Sequence, residues 1–264
     1  MTSRFWSGLA VTLAVAIPAA AFAQDRSALL LKVPTAPAMG AATGRAQPGV
    51  STASPLGFGP NMGDVFVGFG YQNEARGTTE DDGSASLGFG LGNSQSMVGL
   101  EVVITSLSTV REGFFKRTAL GLKLHRDLPN DAAIGVGVEG IMLNGGTDSK
   151  TSAYVALSKY ASLGSGEYFN AVTLNVGAGN GRFQRVADFA ADKNGINVFA
   201  SAGLRVTSWL GAIGEYTGQD VNLGLSLAPI PSIPLVITPA LADVTTTAND
   251  KVRFTLGAGL SWHY

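Results

Sequence analysis

The chain has 264 residues, 45% hydrophobic, 14% charged and 8% aromatic, with 35 Gly, 11 Pro and no Cys. Average soluble chains carry roughly 25% charged residues and about 7% Gly, so charge is scarce here and glycine abundant, a balance that excludes intrinsic disorder. A formal net charge of -1 gives no basic field for a nucleic-acid backbone, and the absence of Cys excludes disulfides, a Cys zinc site, a Cys nucleophile and a lipidated N-terminus.

Residues 1–23 carry one positive charge, Arg4, then an apolar stretch from Leu9 to Ile17 and an A-x-A site at Ala21 and Ala23. This is the pattern of a cleaved secretory signal, whose apolar part is too short to span a bilayer, and it predicts a mature chain beginning at Gln24. Residues 24–62 are rich in Ala, Pro, Gly, Ser and Thr and lack sustained periodicity. They read as a flexible periplasmic leader, with a lumenal plug as the alternative.

From residue 63 the pattern changes to runs in which alternate positions are apolar, separated by stretches of Gly, Asn, Asp, Pro and Ser. That period of two predicts strands over residues 64–72, 84–91, 98–104, 116–126, 132–142, 152–160, 169–178, 196–206, 209–217, 221–227, 234–242 and 252–264. In the last run Val252, Phe254, Leu256, Ala258, Leu260, Trp262 and Tyr264 share one face, with Arg253, Thr255, Gly257, Gly259, Ser261 and His263 on the other. Residues 221–242 are uncharged, but Pro229, Pro231, Pro234 and Pro239 break any spanning helix there. Pro239 sits awkwardly in a strand, so the expected number is about twelve, with ten to fourteen allowed.

The small residues opposite the apolar faces, with little charge among them, argue for lipid outside and a closed lumen, because backbone crosses a membrane only as helix or closed barrel. With its exported N-terminus, amphipathic strands and aromatic-ended last strand, residues 63–264 resemble a bacterial outer-membrane β-barrel. The resemblance implies an all-β, closed antiparallel transmembrane barrel in the outer membrane, with the longer loops outward and both termini periplasmic. It also implies lipid and lipopolysaccharide as surroundings and Leu260, Trp262 and Tyr264 as the signal read by the barrel-assembly machinery.

Glu101, Arg117, Lys123, His125, Glu139, Arg205, Glu215 and Arg253 fall on the polar faces and so are the candidate lumen-lining charges. They either set the solute preference of a water-filled bore or pair with one another as girders, and the interspersed signs favour pairing. Strand pairing through the turns predicts Glu101 diagonal to Lys123 and Arg117 diagonal to Glu139. Gly68, Gly70, Gly88, Gly90, Gly135, Gly137, Gly257 and Gly259 fall on the same faces, leaving room for curvature or for solute.

Catalysis is not expected: there is no G-x-S-x-G elbow, and His125 and His263 are the only histidines. Two histidines exclude a multi-histidine metal site, the acidic run at residues 80–82 lacks calcium-loop spacing, and the GAGNG of residues 177–181 joins a strand to a loop instead of opening a helix. No cofactor or metal is therefore predicted. The expected function is passive passage of small hydrophilic solutes, the alternatives being a closed structural or surface-interaction barrel and an exported soluble β-barrel with an apolar ligand.

Overall fold

The computed structural model describes residues 47–74, 79–145, 151–185, 187–188, 193–230, 232–246 and 251–264. The predicted signal, residues 1–23, and the leader as far as residue 46 lie outside the described residues.

Twelve strands follow in chain order: β1 (Asp64–Gln72), β2 (Asp82–Gly92), β3 (Gly99–Leu107), β4 (Arg117–Leu128), β5 (Ala132–Asn144), β6 (Ser152–Ser162), β7 (Ala171–Gly179), β8 (Asn197–Arg205), β9 (Leu210–Tyr216), β10 (Val221–Leu227), β11 (Leu235–Ala242) and β12 (Arg253–His263). Each pairs antiparallel with its neighbour in sequence, and β12 returns to β1 to close the barrel. At that seam Val65 faces Trp262, Phe66 faces Ser261 and Gly68 faces Gly259.

Side-chain alternation decides which face meets what. On β6, Ser152, Tyr154, Ala156, Ser158 and Tyr160 are buried, whereas Ala153, Val155 and Leu157 between them are exposed. The same parity leaves Phe69, Leu87, Leu124, Val136, Leu174, Phe254 and Trp262 exposed on the outer wall. A soluble barrel would turn these apolar faces inward, so the soluble ligand-binding alternative does not describe this molecule.

Closure leaves no edge on which to hide a proline, and Pro239 is handled by a local gap. The β10–β11 ladder pairs Leu223 with Leu241, Gly224 with Ala240 and Leu227 with Ile237, with no rung between at Pro239. The register is the same on both sides of the gap, and the Thr238 hydroxyl donates to Ser226 Oγ across it at 3.3 Å. Toward β12, Pro239 keeps its place opposite Leu256, where an antiparallel pair of this kind asks no hydrogen bond of it. The β4–β5 ladder shifts register twice, between Thr118 and Ala119 and between Leu120 and Leu122, and Gly140 supplies the positive φ of 70° on the bulged strand.

Antiparallel order puts the chain's Asp64 and His263 at one rim, with the connections β2–β3, β4–β5, β6–β7, β8–β9 and β10–β11. The opposite rim carries the longest connection, residues 180–196, and also the tightest of its set, 217–220. That tight turn closes through Thr217 N donating to the Asp220 carbonyl at 2.9 Å, with Gly218 at a φ of 97°. The expected contrast of long and short sides is blunted, because residues 163–170 and 228–234 lengthen the terminus rim.

Candidate functional site: the lumen and its inserted segment

The inner wall does not face an empty bore. Residues 47–61 enter at the terminus rim, rise to the level of Glu215 and Asn222, and return to the same rim. At the entry Gln47 meets Arg205 at the end of β8, and Pro48 packs over Gly211. At the exit the Asn61 side chain accepts from Ser94 N at 2.6 Å, and a parallel bridge joins Met62 to Gly90.

The top of this loop wraps one carboxylate. Glu215 accepts from Ser51 Oγ at 2.5 Å and Ser54 N at 2.7 Å through Oε1, and from Ala53 N at 3.0 Å and Thr52 N at 3.1 Å through Oε2. The Thr52 hydroxyl also donates to Oε2 and accepts from Asn222 Nδ2 at 3.2 Å. Consecutive backbone N–H groups converging on a carboxylate are charge-assisted bonds, about twice as strong as neutral ones.

Below that point wall side chains take up further backbone groups of the segment. Asn175 Nδ2 donates to the Pro55 carbonyl at 3.1 Å, Gly57 N to Ser158 Oγ at 2.9 Å, and Gly49 N to Ser226 Oγ at 2.5 Å. Lys123 Nζ donates to the Phe58 carbonyl at 2.9 Å, and His125 Nε2 to the Pro60 carbonyl at 2.9 Å. Phe58 itself packs with Ala133, Tyr160 and Ala171. An irregular backbone inside a membrane barrel needs partners for its polar groups, and here wall side chains supply these five.

The wall glycines explain how the segment fits. A Cβ on Gly203 would collide with Val50, on Gly90 with Pro60 and Asn61, and on Gly59 of the segment with His125, while one on Gly135 would crowd the Leu56 carbonyl at 3.1 Å. Others receive aromatic rings from the wall, Gly88 taking Phe66 and Gly177 taking Phe199. Phe199 stacks on Phe183 at 4.6 Å between ring centroids, with Tyr154 edge-on to both.

The eight sequence-predicted charges divide by height. Lys123, His125, Arg205 and Glu215 hold the segment. Glu101 braces Lys123 from directly across the ladder, not diagonally, at 2.6 Å. The expected pairing of Arg117 with Glu139 does not occur. The tight β4–β5 turn pairs Leu128 with Ala132 and Thr118 with Asn144, which carries Arg117 up beside Gly145. Arg117 instead pairs with Glu112 at 2.7 Å, and Glu139 pairs with Arg182. Arg253, buried near the loop rim, pairs with Asp220 at 2.9 Å.

Arg182 was missed by sequence reasoning. It follows Gly181, whose φ of 59° turns the loop after β7 inward, so that Arg182 also donates to the Ala53 carbonyl at 2.9 Å. The only available signal was the Asn-Gly step at 180–181, a turn marker that does not say which way the turn points. In the acidic run, Glu80 pairs with Arg111 at 2.8 Å, Asp81 accepts from the Tyr71 hydroxyl at 2.5 Å, and Asp82 accepts from Ser108 Oγ at 3.2 Å. Among the described residues no cluster of His, Asp and Glu could hold a metal ion.

Above the segment the lumen is open. A cavity of about 350 Å³ is lined by Phe66, Val103, Glu139, Met142, Tyr154 and Arg182, with Ser51, Ala53 and Ser54 of the segment bordering it. It adjoins one of about 190 Å³ beside Ser86, Thr238 and Gly257 and one of about 340 Å³ at the loop rim beside Asp82, Ser108 and Arg117. Ser84 borders all three.

A closed twelve-strand antiparallel barrel, apolar outside and with charge and hydrogen bonding directed inward, is the architecture of the bacterial outer-membrane β-barrel class. Among solved structures the chain is similar to a KdgM porin, at 13% identity over 76% of this chain and 99% of that one with a TM-score of 0.45. A KdgM porin in complex with disordered oligogalacturonate gives 12% identity over 76% and 99% with a TM-score of 0.44. The Acinetobacter baumannii outer membrane protein Omp33 gives 10% identity over 76% and 97% with a TM-score of 0.41. No family model and no curated protein matches the sequence. At these identities the likeness is one of barrel architecture, and function is read from this chain's own lumen.

Proposed function

We propose that this protein is an outer-membrane channel for small hydrophilic solutes whose bore is stopped at its periplasmic end by residues 47–61. The carrying observation is the shape of the free space: a vestibule runs down from the loop rim and ends on the tip of the inserted segment, at Ser51, Ala53 and Ser54. Export through the cleaved residues 1–23, insertion by the assembly machinery through Leu260, Trp262 and Tyr264, and contact with lipopolysaccharide on the loop side belong to the same reading. The lumenal charges then act first as anchors of the stopper and only secondarily as a filter.

Planar-bilayer recording tests this directly on the refolded full chain, a Glu215→Ala variant and a variant lacking residues 47–61. The intact protein should conduct in rare small steps, and either change should raise open probability and step size. A deletion variant that folds, as shown by heat-modifiable migration, yet stays silent would leave the closed structural barrel as the correct description, a reading that the same seated segment supports.

A further inference from the structure

We propose that Arg182 is a latch through which residues 180–185, the start of the loop after β7, hold the tip of the inserted segment, so that the two rims of the barrel are coupled through residues 47–61. Ala53 at the tip is gripped from two elements. Its N–H donates to Glu215 on β9 at 3.0 Å, and its carbonyl accepts from Arg182 Nη2 at 2.9 Å. Glu215 is the last residue but one of β9 and Asn222 the second of β10, so the tip lies toward the loop rim. The feet of the segment lie at the other rim, where Gln47 meets Arg205 and Asn61 meets Ser94. An element in contact with both rims is what a coupling between them requires.

Arg182 is held in place by contacts that do not involve the segment. Its backbone N–H donates to Ser152 Oγ at 2.9 Å, its Nε donates to Glu139, and its guanidinium carbon lies 4.3 Å from the centre of the Phe183 ring. Phe183 is fully buried against Phe199 and Tyr154. The turn after β9 closes over its backbone at Gly218, where a Cβ would lie 2.3 Å from the Phe183 carbonyl oxygen. A planar guanidinium can serve a carboxylate and a carbonyl at once, and the bond it makes to Ala53 is charge-assisted. A second connection runs beside it: Asn222 Nδ2 donates to Thr52 Oγ1 at 3.2 Å, and Asn222 Oδ1 accepts at 3.1 Å from the N–H of Asp243, just past the end of β11. Lifting the segment therefore deprives Arg182 of an acceptor, and moving residues 180–185 deprives Ala53 of a donor. Such coupling is reciprocal by thermodynamic necessity, whereas an arginine that only braced the wall would transmit nothing from the far end of the segment. The latch rests on residues 47–61 being seated as in the proposed stopper, and not on whether the barrel conducts.

Two readouts on the refolded full chain test it: alkylation of a Leu56→Cys thiol within the segment, and trypsin cleavage after Arg185, which is exposed in the loop after β7. Arg182→Ala should speed alkylation at least fivefold while heat-modifiable migration persists. Gly181→Ala keeps the arginine but forces the turn that aims it, because φ is 59° there and a Cβ would meet Ser152 Oγ at 2.3 Å, and it should give the same gain. In the reverse direction Gly203→Val displaces Val50 on the entering leg and should raise cleavage after Arg185 about fivefold, with Glu215→Ala taking its place should the valine barrel not form. In an Arg182→Ala background the same unseating change should add nothing to the cleavage rate. Protection of the thiol that ignores Arg182→Ala overturns the latch, as does an unseating change that frees the thiol and leaves cleavage after Arg185 unaltered. If unseating raises conductance and neither cross-rim effect is seen, the latch falls and the channel reading stands. If both effects are seen in a barrel that stays silent without residues 47–61, the channel reading falls and the latch stands.

Discussion

Lys123 faces Glu101 across the β3–β4 ladder, its Nζ 2.6 Å from Oε2 and 2.9 Å from the Phe58 carbonyl, so one ammonium ties two strands and the inserted segment together. Its side chain is 2% exposed. Removing one member of a buried pair costs about 3–5 kcal/mol because the other is left charged and unpartnered. Lys123→Met should therefore lower the temperature at which the barrel loses its heat-modifiable migration. Lys123→Met with Glu101→Gln should recover much of that loss, since neither charge remains. Equal melting of single and double variants would show that the pair is not coupled.

The wrapped carboxylate of Glu215 predicts a change in access to the segment. The chain has no native Cys, so a single Leu56→Cys probe reports alone, and Leu56 is 1% exposed. Alkylation of that thiol should be slow in the otherwise intact protein and at least tenfold faster with Glu215→Ala. Unchanged protection would mean that the lower contacts, at Asn175, Lys123 and His125, suffice.

Sterics give an independent way to lift the segment without touching charge. Gly203→Val places a side chain where Val50 now lies, against backbone as well as side-chain atoms. It should expose the Leu56→Cys probe as Glu215→Ala does, while β8 still pairs with β7 and β9. Circular dichroism distinguishes local displacement from loss of the barrel.

Pro239 leaves its neighbour strand without a rung, and Pro239→Val supplies the missing N–H. The gain expected is that of one hydrogen bond, about 0.5–1.5 kcal/mol, seen as protection of the new amide at position 239 against exchange. A destabilised variant would indicate that the gap is needed for the curvature of β10 and β11.

At the loop rim, the Tyr71 hydroxyl donates to Asp81 and holds its carboxyl below the ordinary carboxylate range, helped by the Glu74 backbone N–H. A depressed folded value means that the interaction is fully present above the unfolded carboxylate pKa and is lost as pH falls through the lowered one. Carboxyl-carbon NMR should show Asp81 titrating at higher pH in Tyr71→Phe than in the unaltered protein. Coincident curves would remove the hydrogen bond as the cause.

The strands were legible because alternation is dictated twice, by lipid outside and by close packing inside. The runs read at 64–72 and 221–227 coincide with β1 and β10, and the remaining ends differ by a few residues. Lumen-facing parity followed for Glu101, Lys123, His125 and Glu215 from the same alternation. What occupied the lumen was not legible in this way. Residues 47–61 have no period, since their contacts run from single backbone groups to scattered wall side chains such as Asn175 and Ser158, which look like ordinary polar strand residues. Arg182 reaches the site from a loop, where parity has no meaning. The β4–β5 bulges reset the ladder above Leu122 in a way that no single residue announces.

Because residues 47–61 leave by the rim through which they enter, the segment is a hairpin pushed into one mouth of the barrel and not a thread passed through it. Topology therefore lets it come and go with every strand pair intact, including the β1–β12 seam. Seating can also follow closure of the wall instead of guiding it. Assembly and seating are separable events, and a barrel folded with the segment unseated still has a route to acquire it afterwards through the rim that carries Asp64 and His263.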